Sequence, residues 1–311
     1  FYVSMFSEVL ADLLLNETGL PITSILMNAA GQVTILAPNT ETVRSAVDKI
    51  QNDANSWLIK KTYGLTSVGI GYIEASEGDL VFDYKNTWKR LAEKMTSVKL
   101  TKFDISRHGG VQKQFLSGFS EYGLCAFCGR RPAIAGEGDA EDQKPICGIC
   151  KDQLSIGSQL FSRKIQAIGY GFAQQETNRR GLMEPIFDKV DIFLMSIGDA
   201  KSRACRGELY RINRIIPTDS VEPDWRLIAY RPLKGYVPIK NDENDSLGFG
   251  YSVKTFEEIA EGALSTNNDG DRIGLAGLGV LKADVDNLGS IFAFGLPEKL
   301  QNITRTASLS R

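Results

Sequence analysis

Four cysteines in two CxxC pairs carry the most specific chemical signal in the sequence. The pairs are Cys125 with Cys128 and Cys147 with Cys150, and 18 residues separate them. This spacing is typical of a structural zinc ribbon, in which four thiolates hold one tetrahedral ion. Gly129 and Gly148 are expected to relieve backbone crowding in the two turns. Buried reduced cysteines and a redox CxxC are the alternatives, whereas four thiolates leave no position for the water of a catalytic zinc.

A second candidate site lies near the end of the sequence, where two carboxylates follow an apolar run. Asp284 and Asp286 are two residues apart, so on an extended strand both side chains leave the same face. Such a pair can present oxygens to Mg²⁺, and two-metal phosphoryl transfer needs little besides positioning and charge neutralisation. The alternative is that these aspartates only cap a helix that begins near Leu288.

A basic stretch is a candidate for contact with RNA phosphates. It comprises Lys201, Arg203, Arg206, Arg211 and Arg214, and only Glu208 interrupts it. A solvated charged face is the alternative interpretation. Because the formal net charge is −2, bulk electrostatic binding of nucleic acid is excluded, and any RNA contact must be local or shared with partner subunits.

Length and composition indicate a soluble protein of two or three domains. The chain has 311 residues, of which 42% are hydrophobic and 24% charged, and no apolar run approaches the roughly 18 residues of a membrane span. No signal peptide is visible in the sequence, and Phe1 starts inside an apolar helical pattern, so we expect the N-terminus to be cut. The fifth cysteine, Cys205, is expected to be an ordinary buried residue, and the cysteine usage favours the cytoplasm.

The elements before the cysteines follow the order α-ββ-α-β-α. Hydrophobic spacing predicts helices over 1–17, 40–60 and 83–97 and strands over 23–27, 32–37 and 65–75, with Thr40 as an N-cap. This order is that of a ferredoxin-like, palm-type domain whose first strand we expect upstream of Phe1. Its hairpin turn, 28–31, carries no carboxylate, so we expect this domain not to hold Mg²⁺.

The fold class is therefore α+β, with four regions in sequence. We predict a first palm over 1–105, a zinc module over 106–167, a linking domain over 168–270 and the beginning of a second palm over 271–311. Within them, 106–120 is predicted as a connector, 151–167 and 252–264 as helices, and 190–195 and 227–230 as strands. The polar stretch 267–271 is predicted to be a solvated linker rather than a calcium loop.

Two stretches near the end of the sequence closely resemble the opening of a known palm domain. They are Gly-Val-Leu-Lys-Ala-Asp-Val-Asp-Asn-Leu-Gly over 279–289 and Leu-Ser-Arg at 309–311. That domain is the second palm in the large subunit of the type III-A CRISPR effector, and the order of palm, cysteine module and linking domain also fits. The resemblance implies ATP and two metal ions, Mg²⁺ or Mn²⁺, and synthesis of cyclic oligoadenylate when the complex holds target RNA. It makes Asp284 a metal ligand, with the Val285 backbone carbonyl assisting and Asp286 as a further candidate.

Two features of the family are not found in these 311 residues. The Gly-Gly-Asp-Asp hairpin, which supplies the other carboxylate in the family, would follow Arg311. The His-Asp nuclease motif has no counterpart, because the only histidine in the sequence, His108, is followed by Gly109 and not by aspartate. We therefore expect the isolated chain to be inactive and its partners to be the other complex subunits, guide RNA and target RNA. A non-catalytic zinc-ribbon scaffold and a stand-alone single-palm dinucleotide cyclase are the competing hypotheses, although the zinc module counts against the cyclase.

Overall fold

The fold was obtained as a computed structural model of the chain. It describes residues 2–29, 31–101, 103–109, 113–137, 144–160, 164–173, 182, 184–215, 228–230, 239–241, 251–279, 291, 295–297 and 300–305. The chain divides into two compact units, Phe1–Ile212 with Asn287–Arg311, and Asn213–Asp286. Among the helices so described, none combines the length and the apolar character that crossing a membrane requires.

The N-terminal region of the first unit contains four α-helices, one short 3-10 helix (Ile22–Ser24) and one hairpin. In chain order the α-helices and strands are α1 (Tyr2–Thr18), β1 (Ile25–Ala29), β2 (Gln32–Ile35), α2 (Glu41–Thr62), α3 (Glu77–Val81) and α4 (Tyr84–Leu100). Thr40 caps α2 as predicted, because its side chain accepts a hydrogen bond from the Val43 N–H. β1 pairs antiparallel with β2, and Ala29 lies opposite Gln32. β1 therefore extends to Ala29, two residues into the turn that was predicted over 28–31.

An aromatic cluster holds α1 and α2 together in the core. The Phe6 ring meets the Trp57 ring edge-on at 5.6 Å between centroids, and Phe187 lies 5.4 Å from Trp57. Val9 and Leu58 beside them are fully buried. Burying a large apolar side chain contributes roughly 1.5–3 kcal/mol, so this cluster stabilises the packing of both helices.

The predicted strand over 65–75 is wrong, because residues 65–76 form neither a strand nor a helix. The Asn55 side chain of α2 takes the place of a neighbouring strand. Its Nδ2 donates to the Val68 carbonyl and its Oδ1 accepts from the Val68 N–H, both at 2.8 Å. Gln51 accepts in the same way from the Ile70 N–H. Side-chain amides thus satisfy the backbone groups that a sheet would otherwise use.

Two helices replace most of the connector that was predicted over 106–120. They are α5 (Ile105–His108) and α6 (Lys113–Tyr122). Phe115 and Phe119 of α6 meet edge-on at 4.9 Å between centroids, and Phe115 lies 5.2 Å from the Tyr63 ring. Tyr63 ends α2 in a left-handed conformation, with φ 55°. The apolar spacing in α6 therefore packs this helix against the end of α2.

The cysteine module and a small sheet follow along the chain. The elements are β3 (Ala135–Glu137), β4 (Lys144–Ile146), α7 (Gly148–Leu160), β5 (Ala167–Phe172), β6 (Val190–Met195), α8 (Ile197–Cys205) and β7 (Arg211–Arg214). The strand predicted over 190–195 is confirmed as β6. The predicted helix over 151–167 is longer than the described α7, which ends at Leu160, and Ala167 already belongs to β5. β5 pairs antiparallel with β6 and lies between β6 and β7.

Gly171 of β5 is a position that only glycine fits. A Cβ atom there would lie 2.3 Å from the Glu208 carbonyl oxygen. Because this oxygen belongs to the backbone, it cannot swing away as a flexible side chain would. The close approach allows the segment before β7 to lie directly against β5.

The second unit contains short elements. They are β8 (Ile228–Tyr230), β9 (Ile239–Asn241), β10 (Tyr251–Val253), α9 (Phe256–Glu261), β11 (Ser265–Thr266) and β12 (Arg272–Ile273). The helix predicted over 252–264 is shorter than expected, because a capping box between Thr255 and Glu258 starts α9 and β10 occupies the preceding residues. The 267–271 stretch is the turn between β11 and β12, where the Asn267 side chain accepts from the Asp269 and Asp271 N–H groups.

Candidate metal centre

The four cysteines predicted as zinc ligands come together in one cluster. The Sγ atoms of Cys125, Cys128, Cys147 and Cys150 all lie within 4.8 Å of one another. The Sγ atoms of Cys128 and Cys147 are 4.0 Å apart. Thiolates around a tetrahedral zinc ion with Zn–S bonds near 2.3 Å stand about 3.8 Å apart. The cluster therefore fits a zinc ion after a small contraction.

Two turns at the ends of short elements position these thiols. The first turn follows α6, and there the Gly129 N–H donates to the Cys125 carbonyl at 3.0 Å. Gly129 has φ 58°, so the expected use of its conformational freedom is confirmed. The second pair lies at the junction of β4 and α7. The expectation for Gly148 is wrong, because this residue starts α7 and has room for a Cβ atom.

Antiparallel pairing of β3 with β4 holds the two turns at the same place. Ala135 lies opposite Ile146, directly before the second cysteine pair. One backbone bond ties the first turn to this hairpin, since the Ala126 N–H donates to the Pro145 carbonyl at 2.8 Å. The Ile134 N–H, directly before β3, donates to the Ile146 carbonyl at 2.9 Å and extends the hairpin. Ile146 is completely buried. The ligand geometry is therefore built by the backbone of a small ribbon.

Burial and backbone dipoles set the ionisation of the thiols. Burial raises the pKa of Cys125, but hydrogen bonds from the Cys128 and Cys147 N–H groups outweigh it and bring that pKa down to about 6. Burial raises the pKa of Cys150 to about 12. A bound cation favours the thiolate form at every position. The N–H groups aimed at Cys125 show that the ribbon is built to accept negative charge there.

Arg131 also faces the cluster, and the sequence predictions missed it. Its Nε lies 3.2 Å from the Cys147 Sγ and its Nη2 3.7 Å from the Cys150 Sγ. Burial lowers the pKa of Arg131, but the hydrogen bond to the Cys147 thiolate outweighs it and raises that pKa. The signal available in the sequence was the Arg-Arg-Pro string at 130–132, directly after the first CxxC pair.

The centre adjoins the end of α2 through Tyr63. Burial raises the pKa of the Tyr63 hydroxyl, and the nearby negative charge of Cys147 raises it further. In α6, Gly118 lies so close to Pro132 that a Cβ atom would come within 2.9 Å of the proline ring. The metal centre is thus packed against α2 and α6 of the first unit.

The basic stretch does not form one exposed surface. Arg203 and Arg206 both pair with Glu208, Arg203 at 3.1 Å. Arg211 turns inward, where its Nη2 lies 3.2 Å from a Glu8 oxygen and 3.0 Å from an Asp12 oxygen. Lys201 and Arg214, the other members, are half-buried. Arg211 is therefore removed from the set of residues available to RNA.

Three of the predicted site residues cannot be placed, whereas Cys205 and His108 can. Asp284, Val285 and Asp286 lie outside the described residues. Cys205 is exposed at the end of α8, so the expectation that it is buried is wrong. His108 is half-buried at the end of α5, next to Gly109 with φ 70°.

The N-terminal third of the chain matches a known protein family. Residues 1–116 match the family described as Csm1 subunit domain B. A relative from Enterococcus italicus, named CRISPR system single-strand-specific deoxyribonuclease Cas10/Csm1 (subtype III-A), is 24% identical over 315 residues, with 100% of this chain and 37% of the relative covered. A relative of the same name from Mycobacterium tuberculosis is 24% identical over 335 residues, with coverage of 100% and 36%. The chain spans little more than a third of these proteins.

Solved structures share the fold. A Csm1–Csm4 cassette in complex with pppApA has a TM-score of 0.56 and 19% identity, with 99% of this chain and 34% of that one covered. Csm1 of Thermococcus onnurineus has a TM-score of 0.53 and 17% identity, with coverage of 100% and 32%. Over its whole length the chain is similar to proteins named Cas10/Csm1 (subtype III-A), which confirms the resemblance stated from the sequence.

Proposed function

We propose that the chain is the core of the large subunit of a type III-A CRISPR interference complex, which acts in antiviral defence. The observation that carries this proposal is similarity to Cas10/Csm1 along the whole chain, with a matching fold. We assign 1–105 to a first palm, 106–167 to the zinc module, 168–270 to a linking domain and 271–311 to the start of a second palm. A stand-alone cyclase would not explain similarity that runs through all four regions.

In the complete protein, the proposed activity is conversion of ATP to cyclic oligoadenylate, switched on by target RNA. Related cassettes have been solved with ATP, pppApA, cA3 and cA4. Asp284 would bind a Mg²⁺ or Mn²⁺ ion with help from the Val285 carbonyl, and Asp286 would support it. Two such ions would stabilise the attacking ribose oxygen and the leaving pyrophosphate.

Replacement of Asp284 tests the catalytic proposal in the assembled complex. Asp284→Ala should reduce RNA-triggered ATP turnover by several orders of magnitude, because a lost carboxylate weakens the cation that stabilises the transition state. Thermal stability should barely change. Asp269→Ala, in the exposed β11–β12 turn, is the control and should retain full turnover. A destabilised but active Asp284→Ala complex would instead identify the residue as a helix cap.

The isolated 311-residue chain should form no oligoadenylate. The Gly-Gly-Asp-Asp carboxylates of the proposed site are not among its residues, so the charge on the reacting phosphates would be only partly neutralised. Incubation with ATP and Mg²⁺ or Mn²⁺ measures this directly. Robust product formation would overturn the proposed location of the active site.

The four-cysteine cluster is proposed to hold one structural zinc ion. The thiol spacing and the soft donor set support zinc over magnesium or calcium, which prefer oxygen ligands. Metal analysis should find about one zinc per chain. Chelation should first speed amide exchange over 120–155, because metal binding and folding are linked. Zinc below about a tenth of an equivalent, with Cys147→Ser leaving melting unchanged, would contradict a structural site.

The proposed partners are the Csm4-type subunit, guide RNA and target RNA. Several related Csm1 structures contain Csm4. Lys201, Arg203, Arg206 and Arg214 remain the candidates for RNA phosphates. Replacing one phosphate-binding residue should reduce the slope of log affinity against log salt concentration by about 0.7–0.9. If these substitutions leave the slope unchanged, the basic stretch is a solvated face, and a scaffold that docks only protein subunits becomes the better interpretation.

A further inference from the structure

Arg131 contacts both halves of the four-cysteine cluster. With its backbone it binds the first half: its carbonyl accepts from the Cys125 N–H at 2.9 Å, and its N–H donates to the Cys128 thiol. With its side chain it reaches the second half, where Nε lies 3.2 Å from Cys147 Sγ and Nη2 3.7 Å from Cys150 Sγ. One residue therefore links the two CxxC pairs that sequence separates by 18 positions.

The negative charge of a zinc-loaded cluster would be stabilised by the Arg131 side chain. Four thiolates around a divalent zinc ion leave a formal charge of about −2 on the site. A half-buried site of that charge needs nearby cations or hydrogen-bond donors. The guanidinium of Arg131 supplies both, with two N–H groups in a fixed fork that points at two sulfurs. Its neighbour Arg130 is exposed and supplies no such side-chain contact in the described part of the chain.

We propose that Arg131 is a positioning residue of the metal centre. It holds the Cys147 and Cys150 thiolates in place and neutralises part of their charge, so that the ion is bound more tightly and released more slowly. Outer-shell partners of this kind orient the ligands of a metal and tune its affinity. This inference rests on the proposed zinc site, and its failure can be distinguished from failure of that site.

The first experiment compares three variants of the full chain. Arg131→Met keeps the length of the side chain and removes the charge and the donors, Arg131→Lys keeps the charge and loses the fork, and Arg130→Met removes the same charge one residue away. Zinc affinity is measured by competition with a chromophoric chelator. Arg131→Met should lower the affinity by about 10–100-fold and Arg131→Lys by less, whereas Arg130→Met should stay within about twofold of the parent.

The second experiment uses cobalt as a spectroscopic substitute for zinc. A hydrogen bond to a thiolate stabilises the sulfur electrons, so its loss should move the sulfur-to-cobalt charge-transfer band of Arg131→Met to longer wavelength. Arg131→Lys should move the band less, and Arg130→Met should leave it in place. Because the band is read at saturating cobalt, a variant that only folds less stably would show no shift.

The two experiments distinguish failure of the zinc site from failure of the proposed role of Arg131. A parent chain that binds neither metal refutes the zinc site itself. A parent that binds metal, with Arg131→Met and Arg130→Met equal in affinity and in band position, refutes the role of Arg131 alone. An affinity loss without a band shift also overturns the proposal, because it would assign Arg131 to general stability instead of thiolate positioning.

Discussion

The side chain of Arg211 is only 13% exposed and faces two carboxylates, so its replacement is a sensitive test of the packing. Its Nη2 lies 3.2 Å from a Glu8 oxygen and 3.0 Å from an Asp12 oxygen. Glu8 is 9% exposed and Asp12 is 8% exposed. The guanidinium also lies 3.9 Å from the centre of the Tyr170 ring. Arg211→Met would leave two buried carboxylates without this cation, and a broken buried pair typically costs about 3–5 kcal/mol.

The geometry puts the expected cost at about 3 kcal/mol, the lower end of that range. The Arg211 N–H groups do not point squarely at the carboxylate oxygens, so the attraction is mainly Coulombic. Asp12 keeps a second donor, since the Tyr210 hydroxyl lies 3.0 Å from its Oδ2. Burial raises the pKa of Tyr210, and this hydroxyl therefore stays protonated. The free energy of unfolding is measured by urea denaturation followed through tryptophan fluorescence.

Arg203→Met is the matched control. Arg203 also pairs with a carboxylate, Glu208 at 3.1 Å, but the two side chains are 25% and 29% exposed. Solvent screening should keep its cost below about 1 kcal/mol. Adding Glu8→Gln and Asp12→Asn to Arg211→Met should recover part of the stability, because the two carboxylate charges that faced the guanidinium are then removed. Equal costs for the two arginine variants, or no recovery, would refute this reasoning.

Two substitutions test the local packing by chemical denaturation and amide exchange. Asn55→Ala should cost about 1–3 kcal/mol, since the half-buried Val68 backbone loses both of its hydrogen bonds to this side chain. Amide exchange at Val68 should accelerate more than elsewhere, and unchanged exchange there would contradict the hydrogen bonds described. Gly171→Ala should cost about 1–3 kcal/mol, because its methyl group meets the Glu208 carbonyl. Gly157→Ala, which meets nothing within 4 Å on α7, should instead stabilise by about 0.5–1 kcal/mol. A neutral Gly171→Ala would show that the backbone can move apart.

Local signals in the sequence were sufficient for much of the fold. The Thr40 cap, the largely apolar run of β6 and the two CxxC pairs depend on residues close in sequence, so their patterns identify them. The segment over 65–75 has β-type alternation, but the amide side chain of Asn55 satisfies its backbone. A contact between residues 13 positions apart leaves no periodic pattern that could reveal it.

The candidate sites were predictable to different degrees. The four cysteines could be predicted from residue type and spacing. Arg131 could not, because only the fold of the ribbon brings its side chain to Cys147. Arg211 was misassigned to the exposed basic stretch because nothing near it in sequence indicates Asp12, which lies almost 200 residues earlier. Sequence therefore gives the ligands of a metal centre more readily than the charges that balance them.

The exposed thiol of Cys205 makes this chain suitable for single-position labelling. The other four cysteines form the cluster, and an ion bound there would shield their thiolates from alkylating reagents. A maleimide fluorophore or nitroxide added to the metal-loaded chain should then attach at the end of α8 alone. That position adjoins Arg206 and lies in the stretch proposed to contact RNA. The native sequence thus already contains an attachment point for following RNA association, without any cysteine being added or removed.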